Sequence, residues 1–259
     1  MPSMPPPSSL AGRAFASIRR NFFALYAAAL WPYLLLVAIS IVINVAVRHA
    51  HPAAAPLDPV VIWREMSFLA KLGVFVGFAA LAKLPLGFAI GGISLLVNQD
   101  CCERKGSLGG TLRELMRRSL PLVILCMVIG CAAIFGAVFV LPGIAVALLT
   151  VFAVPVMLLE ETGIMTALHR SIKLAWEHIG TVIVMVSAFA ASLIVMWVIF
   201  AALTISVLQL EDMSATVAMW MFLGLGMPIL VCVYGTALTI LYRDARVGRG
   251  AGRPVSAAA

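Results

Sequence analysis

Apolar runs dominate this chain, and polar residues appear mainly as the links between them. Six runs stand out, at about 22–47, 68–97, 119–141, 144–159, 179–208 and 215–242. A helix needs about 20 mostly apolar residues to cross a bilayer. The pattern therefore predicts an all-α integral membrane bundle with six transmembrane helices. Pro85 with Gly87 predicts a bend in the second run, and Pro121 falls in the first turn of the third, where its missing N–H is tolerated. Pro142-Gly143 separates the third run from a shorter fourth, which contains Pro155.

Two of the links have a pattern of their own. Residues 111–118 repeat apolar positions at helical spacing around Arg113, Glu114, Arg117 and Arg118. Residues 160–178 put Ile164, Leu168 and Ile172 on one face, with His169, Arg170, Lys173 and Glu177 elsewhere. Both predict amphipathic helices lying on the cytoplasmic membrane surface. The Pro/Ser stretch at residues 1–12 and the basic, Gly-rich residues 247–259 are expected to be disordered. The transmembrane domain is then 13–246. The first apolar run is too long for the core of a signal peptide and ends without a small-residue cleavage site, so it is read as a retained helix.

Charge decides how often the chain crosses. With two crossings at 119–159, fourteen Lys and Arg lie on the cytoplasmic side and only Arg48 and Arg64 outside. With a single broken crossing there, the tail arginines move out and the bias weakens. The positive-inside rule prefers six spans with both termini in the cytoplasm, which places the protein in a bacterial inner membrane.

Composition agrees with lipid as the main solvent. Of 259 residues, 63% are apolar and 11% charged, against roughly 45–50% and 25% in soluble domains. The net charge of +7 raises the possibility of nucleic-acid binding. The basic residues flank apolar runs, however, as topology determinants do, so no nucleic-acid partner is expected. Cys101, Cys102, Cys126, Cys131 and Cys232 form no zinc-like spacing, and His49, His51, His169 and His178 all lie outside the apolar cores. No metal or cofactor is expected. Gly73-x-x-x-Gly77 and Gly87-x-x-x-Gly91 are candidate close-packing faces of the second helix.

Lys83 is the residue that most needs explaining. It lies about 24 Å along its helix from the outer end, at 1.5 Å per residue. A charge at such depth costs roughly 2.5–3.5 kcal/mol or more unless paired, hydrated or neutralised. It marks a substrate or ion pathway or a lipid-phosphate contact, or else it snorkels to the inner headgroups past a kink at Pro85. The lack of an acidic residue within any span favours snorkelling.

The stretch from Pro155 through Glu160, Glu161 and Gly163 to Ala167-Leu168-His169-Arg170-Ser171 resembles a pattern in bacterial polytopic proteins. These are related to the membrane domain of glycerophosphoryl diester phosphodiesterases. Pro142-Gly143 and Tyr242-Arg243-Asp244-Ala245-Arg246 match further elements of it. The resemblance covers residues 107–246. It implies a membrane domain without the separate catalytic barrel, since only 17 residues follow Tyr242, and hence no hydrolase activity. Physically, Glu160 is placed to pair with Arg170 and pin the second surface helix, with Asp244 and Arg246 closing the same cluster. Anionic headgroup binding is the competing use of these residues.

No nucleophile–base set or paired carboxylate falls within one span. The expectation is a non-enzymatic scaffold or accessory subunit. It would contact membrane phospholipids and pack against membrane protein partners or copies of itself. A small-molecule or lipid transporter is the alternative. Lys83, Glu160, Arg170, Asp244 and Arg246 are the structural or lipid-binding candidates.

Overall fold

Helix is the only regular structure in the computed structural model, which describes residues 10–50, 67–101, 108–137, 141–208, 224 and 226–251. For 40, 41, 43–50, 68–82, 134–137, 141, 203–208 and 247–251 only the backbone is described. Nine helices lie among these residues: α1 Leu10–Ala50, α2 Phe68–Cys101, α3 Leu108–Arg117, α4 Ser119–Ala137, α5 Leu141–Leu149, α6 Ala153–Leu159, α7 Ile164–Glu177, α8 Ile179–Leu208 and α9 Met227–Ala251. Three stretches are long and apolar enough to cross a membrane: Leu10–Ile39, Pro142–Leu159 and Ile179–Ala202. The pair α3–α4, bent by 69°, makes a fourth if taken as one span. The run at 215–242 lies partly outside the described residues, as does the first half of the run at 68–97 at the level of side chains.

The first helix starts earlier than the hydropathy predicts. It begins at Leu10 and changes direction at Asn21, whose φ of −122° and ψ of 24° are not helical. The extra segment is itself amphipathic: Leu10, Ala14 and Ile18, four residues apart, all pack on the core. Residues 10–12 therefore belong to the folded chain rather than to a disordered end.

α2 is the hub of the bundle, in contact with α1, α3, α4, α6 and α9. Its glycines explain how so many neighbours reach it. A Cβ on Gly87 would sit 2.2 Å from Cys126 Sγ of α4, and one on Gly91 would sit 2.7 Å from Leu158 Cδ1 of α6. The Gly87-x-x-x-Gly91 face is thus a real close-packing surface, whereas Gly73 and Gly77 lie outside the residues whose surroundings are described. Lipid offers Leu as good a solvent as another helix does, so close approach and interhelical hydrogen bonds supply the specificity. One such bond joins Ser94 of α2 to Thr239 of α9 at 2.9 Å, fully buried. Thr239 donates its own hydroxyl proton to Gly235 O at 2.7 Å, so Ser94 is the donor across the interface.

The fourth apolar run is itself interrupted, just before the Pro155 it contains. Pro142 is accommodated inside α5. The interruption falls at 150–152, between α5 and α6. Pro155 accounts for it: a proline ring clashes with the carbonyl four residues before it, here that of Val151. The freed carbonyl of Leu149 is taken by Ser171 Oγ of α7 at 2.8 Å, which satisfies an orphan acceptor at a helix end.

Candidate functional site: a charged network at one end of the bundle

The polar side chains of this protein converge on one end of the helices, and the network starts at a turn. Between α6 and α7 the chain reverses through Glu160–Gly163, with Glu161 in the left-handed region at φ 54°. A residue with a Cβ adopts that conformation only under constraint. The constraint is an ion pair: Glu161 meets Arg118 at 2.7 Å. Arg118 stands at the corner between α3 and α4, where it also bonds Glu114 at 2.6 Å and approaches Leu158 O at 3.4 Å.

Glu160, one residue earlier, joins two other helices. Its Oε2 is paired with Arg170 of α7. Its Oε1 accepts a 2.6 Å hydrogen bond from the Tyr242 hydroxyl of α9. Only 12% of the Glu160 side chain is exposed, so this carboxylate is enclosed between a cation and a phenol. Arg170 and Ser171, neighbours in sequence, thereby tie α7 to both halves of the broken span.

α1 closes the far side. Arg13 forms a two-pronged pair with Asp244, one prong at 2.8 Å, the geometry in which a guanidinium fits a carboxylate best. Arg20 and Ser17 reach Asp100 near the end of α2, at 3.2 and 3.1 Å. The hydrogen bond from Arg117 and the charge of Arg118 hold the Glu114 carboxyl below its ordinary range, although partial burial opposes this. The hydrogen bond with Asp244 holds the Arg13 guanidinium above its own, again against burial.

The sequence-derived candidates thus divide. Glu160 and Arg170 do meet. Asp244 does not join them directly: its partner is Arg13, on a segment that sequence reading left out of the helix. Arg246 faces the Tyr242 hydroxyl. With Arg243, Asn98, Leu159 and Tyr242 it lines a cavity of about 350 Å³. Arg13, Ser17, Arg118, Ser171 and Tyr242 were not singled out as partners. The signal for Arg13 was available in the four-residue spacing of Leu10, Ala14 and Ile18.

No family model matches the chain, and no curated protein or solved structure matches it either.

Lys83 lies apart from this network. It lines a cavity of about 170 Å³ within the bundle, formed by α2, α4, α5, α6, α8 and α9. Cys126, Thr150, Phe189 and Tyr234 are among its walls. No ion pair among the described residues includes Lys83. Cys126 packs closely against Gly87, one turn on from Lys83. Among the described residues, no three His, Cys, Asp or Glu side chains are grouped to hold a metal ion. Cys101 is exposed and free, while Cys102 lies outside the described residues.

Proposed function

We propose that this protein is a non-enzymatic scaffold or accessory subunit of a membrane assembly. In this reading it crosses a bacterial inner membrane six times, with both termini in the cytoplasm and α3 and α7 along the inner surface in contact with phospholipid. The observation that carries the proposal is the fate of the carboxylates. Asp100, Glu114, Glu160, Glu161 and Asp244 are each engaged by an arginine. Four of these five pairs tie together residues of different helices or turns. A general base or a proton carrier needs a carboxylate free to change its charge, whereas these hold helices in place. The charge asymmetry of the links supports six spans, and the network gathers at the ends that the asymmetry assigns to the cytoplasm. The resemblance to the membrane domain of the phosphodiesterases points the same way, since Pro155, Glu160, Arg170, Ser171, Tyr242 and Asp244 all serve the network.

The Lys83 cavity favours one other reading, a transporter for a small anionic or lipid-like solute, because an intramembrane charge facing a cavity is an expected pathway feature. Isolation from native membrane in mild detergent separates the two. A stoichiometric protein partner supports the accessory role. A partner-free protein that moves solute across liposomes, and stops doing so as Lys83→Met, overturns it.

A further inference from the structure

The ion pairs of the network do not include Arg243 or Arg246 of α9. Along α9, Tyr242 is held by Glu160 and Asp244 by Arg13. Arg243 and Arg246 line the 350 Å³ cavity between α2, α6 and α9. Arg243 Nη1 is buried beside it, and no acceptor among the described residues reaches it. An enclosed charged donor without a partner is among the most costly groups a protein can hold, and it calls for an ion or water. The surrounding carboxylates do not supply the acceptor. Glu160 is occupied by Arg170 and Tyr242, Glu161 and Glu114 by Arg118, and Asp244 by Arg13.

We propose that this cavity is an anion site for a phosphate group, with Arg243 and Arg246 as its charged donors and the Asn98 amide as a neutral third. Two guanidiniums fit the several oxygens and the charge of a phosphate ester better than those of a single carboxylate. The Tyr242 hydroxyl, already donating to Glu160, presents its lone pairs to Arg246 and positions it. Leu159 adds an apolar wall, suited to the carbon skeleton that an ester carries. The ring of residues sits at the helix ends, so the phosphate comes from a phospholipid headgroup or from a soluble phosphate ester. The choice of the lipid source rests on the membrane orientation proposed above.

The test is a set of titrations on delipidated full-length protein in a neutral detergent. Phosphatidylglycerol, phosphatidylcholine, inorganic phosphate and glycerol 3-phosphate are added separately, with melting temperature and native mass spectrometry as readouts. Wild type is expected to retain phosphatidylglycerol. Arg243→Gln should bind it about tenfold more weakly, the loss of one charge-assisted contact, and Arg243→Lys should recover part of the affinity. If Arg243→Gln does not fold, Asn98→Asp, which sets a repelling charge in the wall, serves instead. Displacement of the lipid by millimolar glycerol 3-phosphate identifies the soluble ester as an equal source and upholds the site. Equal binding of phosphatidylglycerol by wild type and a folded Arg243→Gln or Asn98→Asp overturns it. So does binding of phosphatidylcholine as strong as that of phosphatidylglycerol, with no response to the free phosphates. A C-terminal tag reached from outside the cell would sink the orientation alone, leaving phosphate binding intact.

Discussion

α8 and α9 are consecutive among the described helices and both rich in apolar residues, yet their surroundings differ sharply. The 179–202 part of α8 has a mean hydropathy of 2.7, with only 6% of its most apolar window buried. Ile183, Val184, Ile194, Val195, Trp197 and Val198 all stand exposed. α9 is less apolar and far better packed, burying Val231, Cys232, Thr236, Leu238, Thr239, Tyr242 and Ala245. Of the three candidate spans among the described residues, the most hydrophobic is the least buried. In a membrane, hydropathy reports exclusion from water and says little about contact with protein. Small and hydroxyl-bearing side chains report contact, because they allow close approach and make bonds that lipid cannot.

That contrast breaks if a packed face tolerates bulk as well as a bare one does. Gly91→Leu in α2 would drive a side chain into Leu158 and Leu115. It is expected to cost about 1–3 kcal/mol or more of stability, read as a large fall in melting temperature and in monodisperse yield. The same enlargement at exposed Ala190 of α8 should leave both unchanged. Equal effects at the two positions would refute the distinction.

Next in size is the network. Glu160→Gln removes the charge that Arg170 and Tyr242 share, at an expected cost of about 1–3 kcal/mol. Unchanged thermal unfolding in detergent for this variant would show that α7 is not pinned there. A smaller effect is expected at the α2–α9 interface. Thr239→Val and Ser94→Ala should each lose about 0.6 kcal/mol, with a double-mutant cycle giving coupling of the same order; strict additivity would mean that their hydrogen bond contributes nothing. The smallest effect concerns pH. Glu114 is ionised more readily in the fold than its ordinary value of 4.5 implies. The stability it adds is present above about that pH and is lost as pH falls through the lowered value. Glu114→Gln should flatten the acid side of a melting-temperature profile by a small amount, since a third of this side chain is exposed.

How much of this could be read in advance depended on the range of each signal. Local signals were legible: helical class, membrane character, the Gly87–Gly91 face, and the meeting of Glu160 with Arg170 across a ten-residue turn. The break at 150–152 lies upstream of Pro155 itself, because proline disturbs the carbonyl four residues before its own position. Asp244 was assigned to the right end but not to Arg13, since nothing in a sequence announces a contact between residues 231 apart. The cavity that Lys83 lines is built by six helices, a convergence that periodicity cannot report.

The clasp of Arg13 by Asp244 also sets an order of events during synthesis. The early helix segment at 10–20 emerges long before α9 exists, so its arginine has to wait, hydrated, while more than two hundred residues are made and inserted. Until then α2 lacks one of its neighbours and Ser94 has no Thr239 to bond. The face of α2 that packs on α9 is therefore the last part of the hub to gain its protein neighbour. Domains that close early hide their cores as they are made; this bundle closes last, by joining its opening helix to α9.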